Sequence, residues 1–391
     1  MTPLLKTFLR LRVPGADSLD LGIHPEDEML HYLIDLYNGD WDRAAVAYVE
    51  SGLQVHQMTS RFLEWRFGGT TEVEFLDFAS GYGRVTRHLL RALGPAHLVV
   101  SDVMREAVAF QSQYFDVEGV VSSTKPADFH YDRSFSCVQA ISLFSHLPER
   151  MFRAWIARLW ALVEPGGLLI FSVHDRSLSG DGRSRGDFLF APESENQLLD
   201  PGDYGTAWVT ESFVSRALRQ EINDYSYCRF PRGLANYQDV YLVVREREVD
   251  FSGLVHSSGI DGHIDYADFG TEGTLRCFGW AAHLALGDAI EKVCFQLNDE
   301  ILASTTEFLP RHDVANHFGD KEHLMSGWDL EIKLPDGISF GSDIVMVNIV
   351  SNHGEERILH IGCVHSLVAE AARKNLSDTR AELEVAKAGS Q

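Results

Sequence analysis

Two groups of residues in this chain have types and spacing that could do chemistry. The first is a pair of histidines, His146 and His174, each at the carboxyl end of an apolar run, with Asp175 beside the second. An imidazole in such a place can take a proton from a hydroxyl, which is worth about 10²–10⁴-fold in rate. The second is a turn of small residues, Ala79-Ser80-Gly81-Tyr82-Gly83, between Val73–Phe78 and Arg84-Val85. Small side chains let the backbone bend sharply and bring its N–H groups close to a bound molecule. A helix N-terminus behind the turn would favour an anionic or carboxylate-bearing ligand. Asp102 follows Gly83 by nineteen residues, where doubly wound folds place an acid that accepts ribose hydroxyls.

Each candidate has a plainer reading. His146 could be a helix-entry histidine bonded to backbone before Pro148, and His174 a solvated imidazole at a loop edge. Arg84 could bind a carboxylate or be an exposed first-turn arginine, and Gln238-Asp239 could reach an acceptor pocket or form a turn. The remaining histidines lack metal-ligand spacing, so no metal is expected.

The elements that must position these residues are legible. Val85, Leu89 and Leu93 recur every four positions and Gly94-Pro95 ends the run, which predicts a helix. Leu98–Asp102, Val120-Val121 and Phe135–Ala140 read as strands, Leu168–Val173 as a buried strand, and Phe152, Trp155, Ile156, Leu159 and Val163 as one helix face. Strands alternating with helices at this spacing predict a parallel α/β sheet with right-handed crossovers. Arg176 to Tyr204 reads as a long ligand-binding loop, Thr210 as the cap of a helix through Leu218, and Tyr225–Phe230 with Val240–Val244 as an antiparallel edge. Pro25 to Phe67 reads as a helical cap, in which Tyr48, Ser51 and Gly52 could form a lid.

Past Asp250 the pattern changes to short strand candidates punctuated by Gly and Asp: Thr274–Phe278, Lys292–Leu297, Trp328–Ile332, Ile344–Ile349 and Ile358–Cys363. A helical or disordered tail is expected at 367–391. The expected domains are thus a cap at 1–72, an α/β domain at 73–248 and a β-sandwich module at 249–366.

At 391 residues the chain suits two domains, and a formal charge of −23 argues against nucleic acid or anionic lipid as partners. Five scattered cysteines without a CxxC pair fit neither a disulfide framework nor a zinc site. Lys6, Arg10 and Arg12 interrupt the apolar residues at the N-terminus, and no run of about eighteen apolar residues occurs. A cytoplasmic protein without a membrane span is expected.

Asp77-x-Ala79-x-Gly81-x-Gly83, Asp102 and Glu164-Pro165-Gly166-Gly167 together resemble the class I S-adenosylmethionine-dependent methyltransferases. Ser142-Leu143-Phe144-Ser145-His146-Leu147 is similar to the Ser-x-Phe-Thr-His-Leu of one large bacterial branch. The likeness spans about 73–245 and departs from the family pattern at Ala79, where the first glycine usually stands. It implies a Rossmann-like, doubly wound, mostly parallel sheet under a helical N-terminal cap, with S-adenosylmethionine as cofactor. It further implies that Asp77 anchors the methionine amino group, and that Ala79, Ser80, Gly81 and Gly83 present backbone to the cofactor. Asp102, with Val103 beside it, would take the ribose. Asp128 and Phe129 would flank the adenine, and Gln139 to Ser142 would underlie the methionine.

The same resemblance implies methyl transfer to a small-molecule or glycan acceptor, most readily at a hydroxyl oxygen, with His146 and His174 as candidate bases. A nicotinamide-dependent oxidoreductase is the competitor on this fold, but Thr86 stands where its third small residue should be. A non-catalytic binding scaffold is the other alternative. The second domain, with Gly279-Trp280, Arg311-His312-Asp313-Val314 and Gly327-Trp328, looks like β-sandwiches appended to surface-glycan transferases. That likeness implies binding or glycan assembly rather than a second reaction, and homo-oligomerisation through this domain is a separate alternative.

Overall fold

The computed structural model describes residues 2–13, 15, 19, 21–180, 186–193, 199–254, 256, 259–271, 273–284, 288–298 and 300–373. The tail expected at 367–391 therefore lies outside the described residues from 374 onward. Two compact units are formed: Asp17–Asp40 with Ala47–Ser258, and Met1–Ala16 with Trp41–Val46 and Gly259–Gln391.

In chain order the helices begin with α1 (Pro3–Arg12), α2 (Glu28–Leu36) and the long α3 (Trp41–Phe67). Asp27 starts α2 by accepting the N–H groups of Met29 and Leu30, two of the donors every helix start leaves unpaired. The chain then alternates β1 (Phe75–Phe78), α4 (Thr86–Leu93), β2 (Leu98–Asp102), α5 (Arg105–Phe115), β3 (Glu118–Val121), β4 (Phe135–Ala140), α6 (Glu149–Trp160) and β5 (Val163–Asp175). Strands β1 to β5 are parallel in the order β3-β2-β1-β4-β5. This is the doubly wound, Rossmann-like sheet expected from the sequence.

Beyond β5 come β6 (Phe188–Ala191), β7 (Thr206–Val209), α7 (Glu211–Glu221), β8 (Ser226–Leu234) and β9 (Gln238–Val244). Strand β9 runs antiparallel to β5 along Leu168–His174 and to β8, the antiparallel edge that the sequence suggests. The long loop expected after β5 contains one strand, β6, which pairs antiparallel with β7 just beyond it. Thr210 caps α7 through the Phe213 N–H.

Alternate residues of the strands feed two cores, as a period of two requires. Leu76, Phe78, Val138, Leu169 and Phe171 pack with Phe152, Trp155 and Phe213 on one face. Phe75, Cys137, Leu168 and Ile170 pack with Phe62, Val85, Leu89 and Leu93 on the other. The rows are hydrophobic on both faces because helices cover both.

The other unit holds β10 (Ile260–Phe269), β11 (Thr274–His283), β12 (Ile290–Leu297), β13 (Glu300–Thr305), β14 (Leu309–Pro310), α8 (His312–Phe318), β15 (Met325–Lys333), β16 (Ile344–Ser351) and β17 (Glu356–Cys363). Two antiparallel sheets, β10-β11-β15-β14 and β13-β12-β16-β17, share one core that includes Cys277, Phe295, Trp328 and Val347. All five expected strands are present, and β10, β13 and β14 are additional. This unit is not purely β: it carries α8, and α1 pairs its Arg12 with Glu356.

Candidate functional site

A cleft of about 350 Å³ opens at the carboxyl ends of β1, β2 and β4. That is where open α/β sheets bind ligands, at the point where the strand order reverses. Its wall includes Ala79, Ser80, Gly81, Tyr82 and Arg84 from the turn, and Asp102, Val103 and Met104 after β2. Ser142 and His146 enter after β4, and Ser122, Ser123 and Thr124 after β3. Two further segments close it: Asp27–Met29 at the start of α2, and Leu199, Asp200, Asp203 and Tyr204 before β7.

The turn is held in its bent form by Asp102. Its Oδ2 accepts the Gly81 N–H at 2.9 Å and its Oδ1 the Met104 N–H at 2.8 Å. Burial raises the carboxyl's pKa, and these backbone donors oppose the rise. Gly81 has φ +56°, and a Cβ built there would meet nothing within 4 Å. Gly83, at φ +86°, is needed for a different reason, since a Cβ would lie 2.5 Å from Phe115 Cε2. Ala79 also sits at φ +58°. The usual glycine at this position is thus explained by backbone conformation, which an alanine adopts only at a cost.

Asp77 lies beneath the turn rather than in the cleft wall. Its carboxylate accepts from Thr86 Oγ1 at 3.2 Å and from Gln139 Nε2 at 3.5 Å, and burial pushes its pKa up to about 6. Gln139 is likewise buried, with Oε1 accepting from Thr59 Oγ1 at 2.5 Å. Asp128 and Phe129 are elsewhere. Pro126 begins a short 3₁₀ turn that leaves Asp128 exposed and folds Phe129 into the core against Phe78 and Trp155. Ser122–Thr124 form the wall on that side.

Arg84 is half-buried and faces the cleft, so it is not an exposed first-turn arginine. Its Nη1 donates to Ser51 Oγ at 3.1 Å. Burial lowers the guanidinium's pKa, against the pull of Tyr48, Asp27 and Asp77. Tyr48 is buried and donates to Asp27 Oδ2 at 2.6 Å. Gly52 lets α3 run against the turn, since a Cβ there would lie 2.3 Å from the Arg84 carbonyl oxygen. Tyr48, Ser51 and Gly52 therefore sit behind Arg84 and do not form a lid. Among the described residues Arg84 is the one arginine or lysine in the wall.

The two histidines meet edge to face with ring centroids 6.1 Å apart, but His146 reaches the cleft and His174 does not. His146 lines the cleft, donates from Nδ1 to the Gly205 carbonyl at 2.8 Å and stacks on Tyr204 with ring centroids 4.8 Å apart. That tautomer makes Nε2 the basic nitrogen. His174 is buried outside the wall, because the end of β5 is flanked by β7 and β9. Burial, then the nearby His146, pushes its pKa down to about 4. Gln238 lies between His174 and the cleft: its Oε1 accepts from Ser172 Oγ at 2.6 Å, and its Nε2 donates to Ser142 Oγ at 3.1 Å. Ser142 itself takes φ +60°. Asp239 instead binds Arg229, a partner shared with Asp175 and Glu211.

Residues 75–167 match the family model described as a methyltransferase domain. The chain carries a methyltransferase domain. The matched stretch runs from β1 into β5 and contains the turn, Asp102, Ser142 and His146. No curated protein matches the chain. Among solved structures, magnesium protoporphyrin IX methyltransferase from Synechocystis PCC 6803 with bound SAH is 16% identical, covering 51% of this chain and 87% of its own, at a TM-score of 0.37. DesVI of Streptomyces venezuelae is 14% identical over 57% of this chain and 99% of its own, at 0.39. Burkholderia thailandensis 1,6-didemethyltoxoflavin-N1-methyltransferase is 17% identical over 57% and 91%, at 0.37. The methyltransferase domain holds no helix long and apolar enough to cross a membrane among its described residues.

Proposed function

We propose that this domain binds S-adenosylmethionine in the cleft and methylates a small-molecule or glycan acceptor, at a hydroxyl oxygen. The observation that carries the reading is the convergence of the bent turn, Asp102, Arg84 and His146 on one space. The residues present are compatible with the cofactor: the open side of Gly81 leaves room for it, and the Asp102 carboxylate and the Arg84 guanidinium line the same cleft, the one suited to accept from hydroxyls and the other to pair with a carboxylate. S-adenosylmethionine supplies an activated methyl carbon on a sulfonium.

In this proposal Asp102 accepts from the ribose hydroxyls while keeping its bonds to the turn, since each carboxylate oxygen has two lone pairs. Arg84 pairs with the amino-acid carboxylate. His146 takes the acceptor proton on Nε2, its Nδ1–H held by Gly205. Such a base adds about 10²–10⁴-fold, whereas holding the reactants in line supplies about 7–11 kcal/mol of the barrier. The hydroxyl acceptor and its glycan character rest on the resemblance of the core and of the second unit, for which we propose binding or self-assembly.

Calorimetry with S-adenosylhomocysteine tests the cofactor, and transfer of labelled methyl into a metabolite or glycan extract, read by mass spectrometry, tests the reaction. Binding without transfer to any component would favour the scaffold reading. Absence of binding would remove the cofactor assignment. Light scattering on the whole chain tests self-assembly.

A further inference from the structure

The side chain of Gln111, on the second turn of α5, is completely buried beneath the glycine turn. Its Nε2 donates one hydrogen to Ser80 Oγ at 2.8 Å and the other to the Gly81 carbonyl at 2.6 Å. Its Oε1 accepts from Thr86 Oγ1, at the start of α4, at 2.6 Å, the shorter branch of a single hydroxyl proton shared with Asp77 Oδ2 at 3.2 Å. The amide cannot be turned over, because the Gly81 carbonyl can only accept and so must face the nitrogen. Every polar position of this amide that the turn can use is engaged.

Gly81 is thereby gripped on both sides. Asp102 holds its N–H and Gln111 holds its carbonyl, and these two bonds fix a residue at φ +56°. Ser80 is tied in turn to β2 through its N–H and the Ser101 carbonyl at 3.1 Å. Gly83 completes the arrangement, since a Cβ there would come within 3.1 Å of Gln111 Oε1.

We infer that Gln111 is a positioning residue for the cofactor: by clamping the Gly81 carbonyl it fixes the turn in its binding form and acts jointly with Asp102. The inference rests on the cofactor reading above. A buried amide that satisfied only its own helix would have no bond to this turn, so the two roles make different predictions.

The test uses the full chain with Gln111→Met, which keeps the length but removes both donors, and Gln111→Glu, which is isosteric and sets a carboxylate oxygen against the Gly81 carbonyl. Hydrogen exchange of the peptide covering Leu76–Leu90 is measured without ligand, and S-adenosylhomocysteine affinity by calorimetry. Both variants are expected to exchange faster over the turn and to bind about 10- to 100-fold more weakly. Combined with Asp102→Asn, the losses should be less than additive, because both changes free the same residue. Should Gln111→Met not fold, Thr86→Val, which removes the donor that orients the amide, carries the same comparison. Unchanged exchange and affinity, or additive losses, would overturn the role of Gln111 alone. Absence of binding by the wild-type protein, with the turn still loosened in the variants, would overturn the cofactor reading and with it this assignment.

Discussion

Nδ1 of His146 lies 2.8 Å from the carbonyl oxygen of Gly205, and the imidazole stacks on Tyr204 of the same segment. This bond satisfies the plain reading of a histidine bonded to backbone, yet it also orients the ring toward the cleft. His146→Gln is expected to lower methyl transfer by about 10²–10⁴-fold while leaving S-adenosylhomocysteine affinity within threefold, roughly the scatter of a surface substitution. Labelled-methyl incorporation and calorimetry measure the two. Equal transfer by the variant would assign the ring a purely structural task.

Arg84 gives a prediction that depends on which part of the ligand is present. If the guanidinium holds the amino-acid carboxylate, Arg84→Met should weaken S-adenosylhomocysteine by about tenfold or more, the value of one charge-assisted bond. Methylthioadenosine, which lacks the amino-acid portion, should bind the variant and the wild-type protein alike. Equal weakening of both ligands would mean that the substitution has disturbed the turn instead.

How far the sequence discloses such a site depends on which contacts are local. The turn, Asp102 and His146 were legible because each sits at a fixed offset from a strand end, and strand ends follow from hydrophobic period. A 3₁₀ turn begun at Pro126 carries Asp128 and Phe129 away from the cleft wall, and nothing periodic in the sequence marks it. Ser122–Thr124, nearer to the end of β3, are what the cleft uses. His174 has the right offset too, but pairing of β5 with β7 and β9 buries it, and that pairing is nonlocal. Asp27, which caps α2, and Gln111, on α5, lie outside the motif and carry no periodic or spacing signal for their roles. In the second unit, a register shift near Ile264 breaks the alternation of buried residues along β10 and leaves it without a period-two signal.

Ala79 tests whether the departure from glycine reflects lost function. At φ +58° an alanine is strained by about 1–2 kcal/mol, part of which glycine's greater unfolded-state freedom offsets. Ala79→Gly is expected to stabilise the protein by about 0.5–1 kcal/mol, read from denaturant midpoints at constant slope. S-adenosylhomocysteine affinity should hold or improve. A large gain in affinity would argue that the natural alanine suppresses binding, as the scaffold reading requires.

Asp77 supplies a pH dependence with a definite sign. Burial raises its folded-state pKa to about 6, from an unfolded value near 4. The protonated carboxyl is thus favoured by folding, and this contribution is complete below about pH 4 and lost as pH rises through about 6. Above that pH the ionised, buried group costs up to about 3 kcal/mol at ~1.4 kcal/mol per pKa unit. Asp77→Asn keeps the shape and can still pair with Thr86 and Gln139, so it should be more stable than the wild-type protein at pH 7–8 and lose that advantage by about pH 4. His56 and His88, whose pKa values burial depresses to about 4 and about 3, destabilise both proteins alike as pH falls below their usual range. Only the difference between the two stability curves therefore reports on Asp77. A difference that stayed constant across pH 4–7 would mean that the carboxyl titrates normally, and that Thr86 and Gln139 hold its charge despite burial.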